Sequence, residues 1–158
     1  MTEGDYYARQ ARHAPGDPFA NAADAAHERQ VAAAIERCWQ CQLHAFAPYA
    51  ALDWFATRDD MLRAVIECKA RSHAHDRYPT VFLNVRKWLA LQLAAIGLGV
   101  PAMFVVKFTD TVLWTPVGVE MGAVEIGGCA RIVKSHADIE PVIEVPIEQM
   151  RALDGGER

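Results

Sequence analysis

Asp53-Trp-Phe-Ala-Thr-Arg-Asp-Asp-Met-Leu-Arg-Ala-Val-Ile-Glu-Cys-Lys-Ala-Arg71 is the stretch that decides the architecture. It predicts two strands, residues 49–57 and 62–71, joined by the turn Arg58-Asp59-Asp60-Met61. Side chains two apart on a strand share a face. A hairpin symmetric about Asp60 pairs residues whose numbers sum to about 120, which sets Asp53 opposite Glu67 with Lys69 on the same face. The other face is apolar: Leu52, Trp54 and Ala56 on one strand, then Leu62, Ala64, Ile66, Cys68 and Ala70 on the next. A slip of one residue would turn every side chain over, so this pattern specifies the register.

Two carboxylates set directly opposite repel unless a positive charge lies between them. Oxygen donors without His or Cys suit a hard divalent ion, Mg²⁺ or Mn²⁺, rather than Zn²⁺. An ammonium beside such an ion can hold a water or stabilise charge on a transferring phosphoryl group. Asp53, Glu67 and Lys69 are therefore candidate catalytic residues for metal-assisted phosphodiester hydrolysis. The plainer alternative is a solvated charged face, with Glu67 paired to Arg63 or Lys69.

The chain has 158 residues, 52% of them hydrophobic, enough for one cored domain and too few for two. The expected organisation is an N-terminal arm over residues 1–21, a single domain over 22–153 and a tail over 154–158. A net charge of −4 excludes a uniformly basic surface but not a local basic field. Arg58, Arg63, Lys69, Arg71, Arg77, Arg86 and Lys87 supply one around the hairpin, with His73 and His75 nearby. Arg71, Arg77 and His73 are the candidate phosphate contacts. The first residues, Met-Thr-Glu-Gly-Asp, show no basic flank before an apolar core. A cytoplasmic protein with reduced cysteines is expected, and no membrane association. Residues 88–106 carry no charge, but Gly97-Leu-Gly-Val-Pro101 interrupts them, favouring a buried helix and a core strand over a membrane span.

Outside the hairpin, the spacing of Val31, Ala32, Ile35 and Trp39 predicts a helix over residues 22–44. After a polar loop at 72–77, a second helix is expected from Thr80, as its cap, to Leu98. Its apolar residues form two rows, one with Leu83, Lys87, Leu91, Ala94 and Leu98, the other with Phe82, Val85, Leu89, Leu93 and Ile96. Strands are expected at 103–108, 112–117 and 141–146, with a helical turn at 147–153. Helix, strands, helix and strands in this order predict an α/β or α+β fold, a mixed central sheet flanked by helices.

An opening helix, a strand pair carrying Asp…Glu-x-Lys, then a helix and further strands resemble the PD-(D/E)XK nuclease superfamily. Ile66-Glu-Cys-Lys-Ala-Arg71, Tyr78-Pro79, Lys87 and Pro141-Val-Ile-Glu-Val-Pro-Ile147 look closest to small phage-type or resolvase-like members. The resemblance implies a restriction-endonuclease-like core and Mg²⁺-dependent cleavage leaving a 5′-phosphate. It implies metal ligation by Asp53, Glu67, the Cys68 carbonyl and a first-helix acid, Glu28 or alternatively Glu36, with Lys69 assisting the water and Lys87 completing the pocket. Leu52 replaces the family's nominal proline. DNA is the implied partner, with a homodimer or a phage or repair complex as the setting and the host cytoplasm or a virion as the location. An inactive relative serving as a binding or structural module is the alternative. A weaker one is a Cys/His metal module built on Cys38-Trp-Gln-Cys41 and His44, which would need further ligands from Cys68, Cys129, His73, His75 or His136.

Overall fold

A computed structural model of the chain describes residues 22–47, 50–118, 124–127 and 140–154. The N-terminal arm, residues 155–158 of the tail, Cys129 and His136 lie outside the described residues. Helix α1 (Ala22–Trp39) is followed by strands β1 (Gln42–Ala45), β2 (Trp54–Arg58) and β3 (Met61–Ala70). Strand β4 (Thr80–Asn84) leads into helix α2 (Val85–Leu98), then come β5 (Ala102–Lys107), β6 (Val112–Pro116), β7 (Val124–Gly127), β8 (Glu140–Pro146) and β9 (Arg151–Ala152).

The hairpin of β2 and β3 forms in the expected register, with Trp54 opposite Ile66, Phe55 opposite Val65 and Ala56 opposite Ala64. A shift after Ala56 then brings Arg58 opposite Met61, so each strand runs one residue further into the turn, which shrinks to Asp59-Asp60, while the first strand begins at Trp54 and not at residue 49. Both aspartates have positive φ, 53° and 58°, as a two-residue hairpin loop requires. Aspartate tolerates that left-handed conformation better than most residues.

Two sheets result rather than one. The larger has the order β1-β2-β3-β5-β6-β9 and is mixed, because only β3 and β5 run parallel. The smaller is antiparallel, β4-β8-β7. Val31 and Ile35 of α1 pack on one face of the large sheet, against Ala56, Ala64, Ile66 and Val105. The other face, with Val65, Phe104 and Val106, is covered by Leu91 of α2 and by Val81, Leu83, Ile143 and Val145 of the small sheet. Both faces of β3 are therefore buried, which decides the fate of Glu67.

Three expectations are corrected. The first helix ends at Trp39, not at residue 44, because Gln40 turns left-handed (φ 50°) and the Cys41 amide bonds the Glu36 carbonyl. No Gly or Pro marks that stop, so β1 is invisible to a search for helix breakers. Residues 80–84 form a strand and not the start of a helix: Val81 and Leu83 are buried while Phe82 is 38% exposed, a period of two. Hence Asn84, not Thr80, stands at the helix N-terminus. The helical turn expected over 147–153 is only Ile147–Gln149, after which β9 joins the large sheet beside β6.

On α2 the row containing Leu91 faces the core except at its last residue, Leu98, while Leu89, Leu93 and Ile96 are 47%, 70% and 77% exposed. The helix stops where the Gly/Pro run predicts, with Gly99 at φ 67° donating its N–H to the Ala95 carbonyl. No described helix is long and apolar enough to cross a membrane. A Cβ on Gly99 would meet nothing within 4 Å, so Gly99→Ala costs only the left-handed strain, about 1 kcal/mol. Urea unfolding measures it as a lower midpoint with an unchanged slope.

Candidate active site

The site lies where β2 begins, on the face of β3 turned toward α2. Glu67 follows Val65 on that face and is 3% exposed. Burial and, after it, the negative charge of Asp53 raise its carboxyl from an ordinary 4.5 to about 7, against the pull of Lys87 and Lys69. A solvated face does not describe such a residue. Its partner is neither Arg63 nor Lys69 in an ion pair but Lys87, whose Nζ donates to Glu67 Oε2 at 2.8 Å.

Asp53 lies one step before the first paired residue of β2. Its Oδ2 accepts the Cys68 N–H at 2.8 Å, and its Oδ1 is 3.5 Å from the same Lys87 ammonium. The two acids thus come from two strands to one cation. Lys87 reaches them from the first turn of α2, and its helical position is the same whether the helix begins at residue 80 or 85.

The main chain adds a donor. The Val65 N–H bonds the Pro101 carbonyl and the Arg71 N–H the Lys107 carbonyl, so residues 65, 67, 69 and 71 direct their peptide groups toward β5. Cys68 directs its own the other way, past the beginning of β2, where its N–H meets Asp53. Its carbonyl consequently lies on the edge that carries Asp53. The Cys68 side chain packs instead toward α1, where burial, with Asp53, Glu67 and Glu28 behind it, raises the thiol to about 12. That thiol stays protonated at neutral pH and lies on the sheet face opposite the two carboxylates.

Two carboxylates and a main-chain carbonyl around a point already favourable to positive charge fit a hard divalent cation. Among the described residues no group of three or more His, Cys, Asp or Glu that could hold a metal is gathered. Glu28 is exposed on α1, on the Cys68 side of the sheet. Glu36 is committed elsewhere: its Oε1 accepts the Leu43 N–H at 2.9 Å and ties β1 to α1.

Lys69 shares the Glu67 face and donates from Nζ to Asn84 Oδ1 at 2.8 Å. Asn84 is the residue beside the candidate site that reasoning from sequence does not single out. A helix begun at Thr80 puts it inside the first turns; the alternation of Thr80-Val-Phe-Leu followed by a capping-type residue is the signal that could have found it.

The basic field is partly spent on structure. Arg58 donates to the Gln40 carbonyl at 2.9 Å and to that of Trp39, closing the end of α1. Arg71 leans on β4 through the Phe82 carbonyl at 3.4 Å, and burial lowers its guanidinium pKa. His73 is half-buried with its ring edge-on to Tyr78, 5.0 Å between centroids. Arg77 lies over the same Tyr78 ring and is exposed, like Arg63 and Arg86. His75 pairs with Asp110 at 2.7 Å. Among the described residues the Cys/His alternative is not assembled: Cys38 bonds Asp154, while His44 bonds Thr57 and stacks on Phe55.

A family model described as "Phage putative PDDEXK endonuclease" matches residues 17–153. Among solved structures, Archaeoglobus fulgidus Hjc, described as a Holliday junction resolvase from an archaeal hyperthermophile, is similar at a TM-score of 0.50 and 17% identity. The similarity covers 75% of this chain and 80% of that one. No curated protein matches in sequence. At this identity the likeness to Hjc concerns the fold, and the restriction-endonuclease-like core with a mixed sheet is the architecture found.

Proposed function

Since the chain belongs to the PDDEXK endonuclease family of phage proteins, we propose that it hydrolyses phosphodiester bonds in DNA with Mg²⁺ or Mn²⁺ held by Asp53, Glu67 and the Cys68 carbonyl. One observation carries this reading. Two acids, one almost fully buried, meet at a single cation, with Lys69 on the same face. A divalent ion there would polarise the scissile phosphate and make its bound water more acidic.

The chain's own groups do the rest. Asp53 is oriented by the Cys68 N–H. Glu67 lies in a low-dielectric wall, where each electrostatic contact is stronger than in water. Lys69 holds the attacking water or a non-bridging phosphate oxygen. Lys87 keeps the two carboxylates together and, beside a bound divalent ion, would be a second positive group for the phosphate. Exposed Arg63, Arg77 and Arg86, with half-buried Arg71 and His73, contribute to the field that receives the backbone. Two copies acting on opposite strands would suit this activity, as would a place in a phage or repair complex in the host cytoplasm or a virion.

Incubation with linear, nicked and branched DNA, with and without Mg²⁺, is the direct test. Wild-type protein cuts only with the cation, and Asp53→Asn loses at least 100-fold of the rate. Undiminished cutting by Asp53→Asn, or by wild type in chelator, would sink the proposal. Lys87 between the acids also suits a non-catalytic module of the same fold. That reading gains if no DNA is cut and Mg²⁺ leaves the melting temperature unmoved.

A further inference from the structure

We infer that the solvent face of α2 pairs with the same face of a second copy of the chain, the two helices running antiparallel across a two-fold axis. The pairing stands independently of the nuclease reading. Leu91 meets the core on one side of the helix, yet the other side is no ordinary polar surface. Between Arg86 and Ile96 the exposed residues are Arg86, Leu89, Leu93 and Ile96, one cation followed by three large apolar side chains. A helix apolar on both sides is one whose outer side has something to cover it.

The spacing identifies the cover as another helix. Steps of three, four and three residues set Arg86, Leu89, Leu93 and Ile96 on the narrow seam along which two helices interlock. Gly97 lies next to this seam, and a Cβ built on it meets nothing within 4 Å, so a second helix has room to come close. In an antiparallel pair Leu89 packs on Leu93 of the second copy, and Ile96 on Arg86 of the second copy.

Charge selects that direction. A helix favours acids in its first turn and bases in its last. The first turn of α2 has no acid and its last turn no base, while Arg86 and Lys87 both stand near its beginning. Lys87 is held by Glu67 and Asp53. Arg86, unfavourably placed in its own helix, lies in an antiparallel pair beside the last turn of the other, where the free carbonyls carry negative partial charge. Its aliphatic stem covers Ile96 on the way. A parallel pair would instead set two Arg86 side chains together. Three large side chains, each about half or more exposed, present a few hundred Å² of apolar surface, the size that marks an interaction site. A stable complex buries roughly 800 Å² on each side, so the dimer formed dissociates at micromolar concentration. Because the same helix supplies Lys87, pairing fixes the two candidate sites relative to each other.

Sedimentation equilibrium of the full chain, without DNA or metal, is the test. From about 1 μM to about 300 μM the wild-type mass rises from that of one chain toward that of two. Leu93→Glu and Leu89→Lys, both at exposed positions, keep the wild-type circular dichroism and the mass of one chain. Mixed in equal amounts they dimerise, because the antiparallel register sets residue 93 of one against residue 89 of the other. Arg86→Glu weakens association about tenfold, since two helix-end contacts are lost together. A wild-type mass that stays at one chain up to about 1 mM overturns the inference and leaves the face to another segment or molecule. A dimer that survives both Leu93→Glu and Leu89→Lys overturns the choice of surface. If Leu93→Glu dimerises with Leu93→Lys and not with Leu89→Lys, the antiparallel arrangement is overturned.

Discussion

Lys69→Ala leaves the protein folded and slows DNA cleavage by about 100-fold or more, the range expected for loss of a positioned proton-transfer or charge-stabilising group. Its stability should change little. Lys69 is half-buried, and its bond to Asn84 Oδ1 is one between an ammonium and a neutral amide at the edge of the site. Water can take the ammonium's place at Asn84 Oδ1, so that amide oxygen is not stranded. Lys69→Arg does not rescue the rate, because a planar guanidinium cannot reproduce a compact three-donor ammonium at the same distance from Asn84. Glu67→Gln also abolishes cleavage, since an amide is a poor ligand for a hard cation. At neutral pH and above it should also stabilise the cation-free protein, because it removes a carboxyl that is costly to ionise. Two inactive variants, one neutral and one stabilised, mark the site as built for chemistry rather than for the fold. Retention of more than a tenth of the wild-type rate by Lys69→Ala, measured on the DNA that wild type cuts best, removes Lys69 from the proposed mechanism.

The hairpin was legible because alternation over residues 53–70 leaves one register that buries Ala56, Ala64 and Ile66 together, and that register places Asp53 beside Glu67. Lys87 was legible for a related reason: its partners depend on helix phase, which an error in the helix start does not alter. The depth of Glu67 was not legible. It comes from β4 and β8, whose Val81, Leu83, Ile143 and Val145 cover the second face of the large sheet. Those residues lie far from Glu67 along the chain, and no local pattern announces that they form their own sheet. The place of Asn84 beside Lys69 was hidden for a related reason, since residues 80–84 satisfy a helical and a strand pattern over so short a span. The exposed row Leu89, Leu93 and Ile96 has the spacing of a buried helix face, and only the three-dimensional arrangement shows that the core is already filled by Leu91.

Between pH 5 and pH 8 the cation-free protein should lose stability as the pH rises, by about 3 kcal/mol from Glu67 alone. The sign follows from proton binding. An unfolded glutamate releases its proton near 4.5, whereas Glu67 in the folded chain holds it to about 7. In that interval the folded state binds more protons than the unfolded one. The stabilising contribution is therefore complete below 4.5 and is lost as the pH climbs through 7. Asp110 acts in another window: its hydrogen bond to His75 depresses the carboxyl below 3.8, so its contribution is present above that value and disappears only on further acidification. Urea unfolding at a series of pH values reads the slope, and Glu67→Gln should flatten it. In Lys87→Met the slope should steepen and extend to higher pH, because the buried carboxylate then faces Asp53 without its ammonium 2.8 Å away. Mg²⁺ should do the reverse, stabilising the wild-type chain far more at pH 8 than at pH 5, since the cation binds the ionised pair and must displace a proton at low pH. Stability that rises from pH 5 to pH 8, or a fall that persists in Glu67→Gln, would remove Glu67 as its source. A fall that Mg²⁺ cancels would locate the cation at the carboxyl whose burial makes it necessary.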